Sequence, residues 1–431
     1  MPGQLYPLPY GAFSPAYLPA YQAPVIMPKA YAEIWSGINP ANLEDENTLL
    51  YGPLQVTAGA VTIDRSNVIR RTATNVTMLP DVGGYLLPIA GEAATDDTGL
   101  FSPEGHELRL YKGILEDESY TEYAKLGVFF ISEVDVVNDS NGVTLVGTLK
   151  DRGQWLSRNT FSVPYVTNGT SEVGQVILDI LLQPLLPYVI LPFPVMSGFA
   201  TISPYVPTVS SYKIGDDPWQ AAQDQAAAAG LELFFDYDGV LTIQAVPDPN
   251  SIDPCVTYLE GTTTAPVTIS RALNNDDVPN IVCVVSQGSG VTAPVAVYWW
   301  EDDPESAMYY APTPAGGFTT PQYVLPLIDA AATYPPLLQR FESTLIGPTF
   351  QADQAQAVAL AIGLTSKGSL EKTTFTIRDQ PAHDIDDVIY TQRVVAGIPE
   401  ATDTYYILDQ VVIDLTPLKP VQITGRLVNS A

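Results

Sequence analysis

Val143-Thr144-Leu145-Val146-Gly147-Thr148-Leu149 is answered near the end of the chain by Val421-Gln422-Ile423-Thr424-Gly425-Arg426-Leu427. Working outward, Phe130-Ile131-Ser132-Glu133-Val134 matches Tyr406-Ile407-Leu408-Asp409-Gln410-Val411 with one residue inserted. Further back, Arg71-Thr72 to Pro80 parallels Lys372-Thr373 to Pro381. Glu107-Leu108-Arg109-Leu110-Tyr111 likewise parallels Asp386-Asp387-Val388-Ile389-Tyr390. In Glu107-Leu108-Arg109-Leu110-Tyr111 the apolar side chains alternate with charged ones, the period of a half-buried strand. Alternation alone makes weak matches between unrelated strands, but here four segments recur in one order. The repeat predicts two related β-barrels.

Between the copies the pattern changes from strand to helix. Val173, Val176, Ile177 and Ile180 recur at helical spacing over 171–182. Asp217 is placed to cap a helix with Pro218 at its first position, and Gly230 supplies the stop. Residues 231–246 then alternate around Asp236-Tyr237-Asp238-Gly239, a hairpin turn. A further helix over 351–365 carries Ala355, Val358, Ala359 and Ile362 on one stripe. The fold class expected is mainly β with an α/β insert. A first barrel occupies 29–165, an α/β middle domain 166–250, and a second barrel 251–431, with a Tyr/Trp/Pro-rich insertion near 298–340. Residues 1–28 hold seven prolines interleaved with tyrosines. Proline blocks helix and ladder alike, which leaves an extended arm or a disordered tail.

Composition agrees with strands and turns. Of 431 residues only 16% are charged and 46% are hydrophobic, which excludes a solvated disordered chain. There are 48 acids against 19 bases, a net charge of −29. Binding along a nucleic-acid backbone is disfavoured, because such binders set Lys and Arg on phosphates. Between Arg158 and Arg271 the only base is Lys213, and from 272 to 339 there is none. The apolar run 176–200 is broken by Asp179 and four prolines, so no membrane-spanning segment is expected. The first residues show neither basic nor apolar signal-peptide regions.

Catalytic signatures are missing. The chain has two histidines, His106 and His383, and two cysteines, Cys255 and Cys283, so a zinc cage would have to gather nearly all of them. One disulfide or two free thiols are both open. His106-Glu107 lacks the second histidine of a zinc-protease helix, and neither a nucleophile elbow nor a Walker loop occurs. Glu301-Asp302-Asp303-Pro304-Glu305 is the densest acidic cluster and reads as a solvated loop, with a hard cation as the alternative. No catalytic, cofactor-binding or metal-binding residue is assigned, and no cofactor is expected.

Several blocks resemble a known family. Asp64-Arg65-Ser66-Asn67-Val68-Ile69-Arg70-Arg71-Thr72, then Gly105 to Gly113 and Leu126 to Ile131, resemble minor tail proteins of siphophages that infect actinobacteria. So do Asp217-Pro218-Trp219 to Gly239, Asp353 to Leu364 and Asp386-Asp387-Val388, and the likeness spans about 55–428. That family is similar to the central baseplate hub of tailed phages. The resemblance implies a homotrimer whose chains each give two tail-tube-like barrels, so that three chains form a pseudo-sixfold ring. It implies a virion tail-tip location after assembly in the host cytoplasm. Implied neighbours are distal tail or tail-tube proteins, the tape measure protein and other tip proteins, with genomic DNA passing through unbound. It implies assembly and passage rather than enzymatic turnover. The acidity then fits a channel wall on which DNA slides, or a means of staying soluble before assembly. Two other classes stand beside this one. A receptor- or carbohydrate-binding protein is suggested by Trp299-Trp300, read as exposed, and by abundant tyrosine. A carboxylate-based glycan hydrolase needs only two acids far apart in sequence.

Overall fold

The computed structural model describes residues 5–6, 28–36, 48–79, 100–101, 106–115, 121–139, 142–186, 191–259, 268–273, 278–287, 296–304, 306, 308–311, 321–325, 340–346, 352–378, 380–392, 394–395, 398–399 and 404–430. Apart from Leu5–Tyr6 (β1), which pairs in parallel with Tyr123 and Ala124, the expected N-terminal arm lies outside these residues.

Six strands follow: β2 Pro28–Ser36, β3 Leu49–Asp64, β4 Arg71–Leu79, β5 His106–Leu115, β6 Thr121–Asp139 and β7 Gly142–Lys150. They pair in the order β3-β2-β5-β6-β7-β4, and β4 pairs back onto β3, so the ring closes. Closure removes free edges, which an isolated sheet would leave open to association. Leu54, Val56, Val61, Ile63, Leu108, Leu110, Phe129, Ile131, Leu145 and Leu149 belong to the core that fills it.

After the middle segment come β12 Val256–Leu259, β13 Thr268–Leu273, β14 Ile281–Gln287, β15 Ala296–Trp300, β16 Arg340–Ile346, β17 Glu371–Ile377, β18 Val388–Gln392, the two-residue β19 Val394–Val395 and β20 Ile398–Pro399, β21 Thr404–Asp414 and β22 Val421–Ser430. The order β18-β21-β22-β17 reproduces β5-β6-β7-β4, the four segments that match in sequence. Each central hairpin also shifts register at the corresponding place, within Ile131–Glu133 and within Leu408–Gln410. The second set is open among the described residues. There β13 pairs only β17, and β12 pairs only β18, in parallel. In the first set the corresponding outer strands β2 and β3 pair with one another.

The two sets are one sheet because β3 is long enough to serve both. Residues 49–56 pair β2, and residues 60–64 pair β21 from Gln410 to Asp414. Gly59 sits between these stretches at φ +122, where a Cβ would stand 2.8 Å from the Val76 Cα. Only glycine tolerates both the backbone angle and the approach. Phe375, Tyr406, Leu408, Val411 and Ile413 accordingly share a single core with the first set.

The segment between the sets holds α1 Arg152–Arg158, β8 Tyr165–Val166, α2 Val173–Leu182, β9 Ser211–Tyr212, α3 Pro218–Ala227, β10 Leu231–Phe235 and β11 Leu241–Ala245. Asp217 caps α3 by accepting from the backbone N–H groups of Trp219 and Gln220, and Gly230 follows the helix at φ +72. Trp219 is 1% exposed and stacks on Phe235 at 5.3 Å within this segment's own core. Leu156 and Phe161, ahead of residue 166, contribute to the same core.

Two expectations change, those for the tryptophans and for Glu301. Trp299 and Trp300, read as exposed, are buried: Trp299 packs with Val282, Val284 and Val297 against Ala355, Val358 and Ala359 of α4 Ala352–Ser366. The insertion near 298–340 is flanked by paired strands, because β15 and β16 both pair β14 in a separate three-stranded sheet. Glu301 is not solvated; it is 2% exposed, with Lys367 Nζ at 3.7 Å. The strict alternation of Val297 and Trp299 already marked a half-buried face, which the large aromatic surface obscured. Both cysteines are free thiols.

Candidate functional site

The turn between β3 and β4 carries Arg65 and Arg70, Arg71 opens β4, and all three point into a junction among the two strand sets and the middle segment. Arg65 pairs with Asp386, with Glu232 at 3.4 Å and with Asp409 at 3.7 Å. Arg70 lies 3.7 Å from both Glu232 and Asp386 and stacks 3.8 Å above the Phe234 ring. Arg71 meets Asp384 at 2.5 Å and donates to the Leu126 carbonyl at 3.2 Å. From the other side, Arg426 on β22 pairs with Asp409 at 3.1 Å and donates to the carbonyls of Thr365 and Lys367 at the end of α4. Asp386 holds φ +74 here, a backbone angle disfavoured for any residue with a Cβ. Burial draws the Arg70 guanidinium down to about 10 and lowers Arg65 too, while Glu232 opposes both shifts.

A second rivet joins the middle segment to the first barrel. Glu107 on β5 accepts two hydrogen bonds from Arg152 on α1, at 2.7 and 2.8 Å, and both side chains are buried. Arg152 also donates to the carbonyl of Gly239 in the β10–β11 turn. Next to it, Asp151 accepts from the Arg71 N–H at 2.9 Å and caps α1 through the Gly153 N–H at 2.9 Å. Burial pushes the Asp151 carboxyl up to about 6 against those two donors.

Six of the chain's 19 lysines and arginines are buried among the described residues, against four of its 48 acids. A larger share of the cations than of the acids is thus held internally, so what remains is more acidic than the composition alone implies. A cleft of about 310 Å³ lined by Arg70, Arg71, Asp236, Asp384 and Asp386 is charged on both signs, and its arginines are already matched. Apolar side chains remain exposed around the β8–β9 ribbon: Val163, Val166, Val209 and Ile214. Surface of that kind is what assembly commonly covers.

Sequence order gave no reason to join Cys255, His383 and Asp387, yet one ligand atom from each lies within 4.8 Å of the others. The pairing of β12 with β18 brings them together, and only that pairing could have signalled it. His106, by contrast, is buried with its Nδ1 3.2 Å from the Leu100 carbonyl, an ordinary core histidine.

No family model matches the sequence, and no curated protein matches it. Solved structures do resemble it. The tail protein from Neisseria meningitidis MC58 aligns over 94% of this chain and 97% of its own, with a TM-score of 0.53 and 11% identity. The 43 kDa tail protein of prophage MuSo2 from Shewanella oneidensis covers 92% and 98%, at TM-score 0.49 and 11% identity. Prophage tail protein gp18 from Listeria monocytogenes EGD-e covers 92% and 94%, at TM-score 0.49 and 7% identity. These neighbours are tail proteins. Over nearly its whole length the chain shares the fold of the first of them.

Proposed function

We propose that this chain is the central hub of a phage tail tip, a structural virion protein that acts by assembly. The observation that carries the reading is the strand order β5-β6-β7-β4 repeated as β18-β21-β22-β17 within one sheet. Two such sets per chain, in three chains, present six similar elements, which lets a threefold tip meet a sixfold tube. The units proposed are 29–165, 166–250 and 251–431. The neighbours are further copies of the chain in a homotrimer, distal tail or tube proteins, the tape measure protein and other tip proteins. The junction of Arg65, Arg70, Arg71 and Arg426 supports a rigid adaptor, because it ties the three parts by ion pairs shielded from solvent.

Genomic DNA would pass through the ring without specific binding. With 48 acids against 19 bases, and six of the bases buried, acids dominate the remaining surface, and an acidic wall favours sliding. The sugar-binding reading loses its main support with the burial of Trp299 and Trp300. Virions bearing an epitope tag on this chain test the location: label at the tip, distal to the tube, agrees with the hub, and label along the tube or on the capsid contradicts it.

A further inference from the structure

Cys255 stands immediately before β12, and its backbone N–H donates to the Val388 carbonyl at 2.8 Å. The parallel pairing that starts there, Val256 with Ile389 through Leu259 with Gln392, sets the thiol beside the β17–β18 loop. That loop carries His383 and Asp387. The carboxylate Oδ2 of Asp387 lies 3.2 Å from the His383 Nδ1, and the His383 Nε2 lies 2.6 Å from the Tyr258 hydroxyl. His383 and Tyr258 are fully buried, while Cys255 and Asp387 keep partial exposure.

We propose that Cys255, His383 and Asp387 form a binding site for one zinc-like divalent cation, with its fourth position open to water, which staples β12 to the β17–β18 loop. The inference does not rest on the hub reading.

The donor set carries the choice of metal. A thiolate, an imidazole and a carboxylate together suit a borderline-soft cation and do not suit Ca²⁺ or Mg²⁺, which take all-oxygen shells. In a tetrahedral shell with bonds of about 2.0–2.3 Å, ligand atoms stand roughly 3.3–3.7 Å apart. The His383–Asp387 separation is already close to that, and it is long for a charge-assisted hydrogen bond of about 2.7–2.9 Å. Closing the set from within 4.8 Å requires side-chain rotation of about an ångström. Tyr258 supplies the outer support that metal-bound histidines commonly have. In the metal-bound form its oxygen, 2.6 Å from Nε2, would accept from the Nε2–H and leave the Nδ1 lone pair for the cation between Asp387 and Cys255. Binding breaks the S–H bond of Cys255, forms a metal–sulfur bond and releases one proton to solvent. Because binding releases that proton, affinity increases with pH. The staple falls where, among the described residues, the second strand set lacks a closing pair and β12 pairs with β18 alone, through four residue pairs.

The test is titration of the purified full chain with Co²⁺ under a phosphine reductant. The expected result is one Co²⁺ per chain with a thiolate-to-cobalt charge-transfer band and strong tetrahedral visible bands, both displaced by Zn²⁺. Cys255→Ser should lose the charge-transfer band, and Cys283→Ser, altered in the separate β14 sheet, should keep it. Zn²⁺ should raise the Tm of wild type and of Cys283→Ser but not of Cys255→Ser. Asp387→Asn gives a second check, with Co²⁺ affinity falling at least tenfold while the thiolate band persists at saturation. Folded wild-type protein that shows no charge-transfer band, or a band that survives Cys255→Ser, overturns the proposal.

Discussion

Arg152→Met removes one side of the pair that rivets α1 to the first barrel. The Arg152 side chain is 3% exposed and Glu107 is 0% exposed, and two hydrogen bonds of 2.7 and 2.8 Å join them. Loss of the guanidinium strands the Glu107 charge in a low-dielectric site, which costs about 3–5 kcal/mol. The Gly239 carbonyl loses its Arg152 donor as well. Glu107→Leu combined with Arg152→Met removes both charges and restores apolar packing, so the double variant should recover most of the loss and lie within about 2 kcal/mol of wild type. Urea unfolding followed by far-UV circular dichroism on wild type, both single variants and the double variant closes a thermodynamic cycle. The structure predicts strong coupling, with the double variant more stable than Arg152→Met alone. A single-variant loss below about 1 kcal/mol, or costs that simply add, refutes the buried pair as the rivet.

Trp219→Ala should cost about 3–5 kcal/mol, because the ring is buried on Phe235 and its Nε1 donates to the Val68 carbonyl at 2.9 Å. Trp219→Phe should cost clearly less, since Gln223 still donates to that carbonyl; equal losses in urea denaturation would contradict this. Asp151 carries a pH signature: its folded value of about 6 exceeds the ordinary 3.8, so the folded chain holds a proton that the unfolded chain has released between those values. Wild type should therefore lose up to about 3 kcal/mol relative to Asp151→Asn as pH rises from about 4 to 6, and stay level above that. A constant difference across that range would show that the carboxyl titrates normally. Finally, tails in which several lumen-facing acids are replaced by Lys should assemble yet eject DNA more slowly in low salt, with the delay shrinking as salt rises. Ejection at the unmodified rate in low salt would remove the electrostatic part of the account.

Local signals were legible where they are short-range. Asp217-Pro218 and Gly230 bounded a helix correctly because a cap, a fixed φ and a left-handed stop each act within one turn. The duplicated strands were legible because order survives even where registers differ. What escaped was anything fixed by long-range pairing. The joining of β3 to β21 depends on Gly59 redirecting a 16-residue strand, and no periodicity encodes which partner the far end takes. The cluster of Cys255, His383 and Asp387 spans more than a hundred positions and exists only through the pairing of β12 with β18. Likewise the acidic run at Glu301 looked solvated because its partner, Lys367, is distant in sequence. The burial of Trp299 and Trp300 is hidden for a different reason: aromatic side chains suit a core and a binding face equally well, and only the packing of α4 on Trp299 and of Ile281, Tyr310 and Ala311 with Trp300 decides.

The central claim is a threefold hub, and the mass of the purified 431-residue chain in solution tests it most directly. At 46.5 kDa per chain, native mass spectrometry should give a species of three times that mass, and negative-stain images should show a ring with threefold symmetry and six similar lobes. A stable monomer at micromolar concentration, with no ring in the images, would contradict the account.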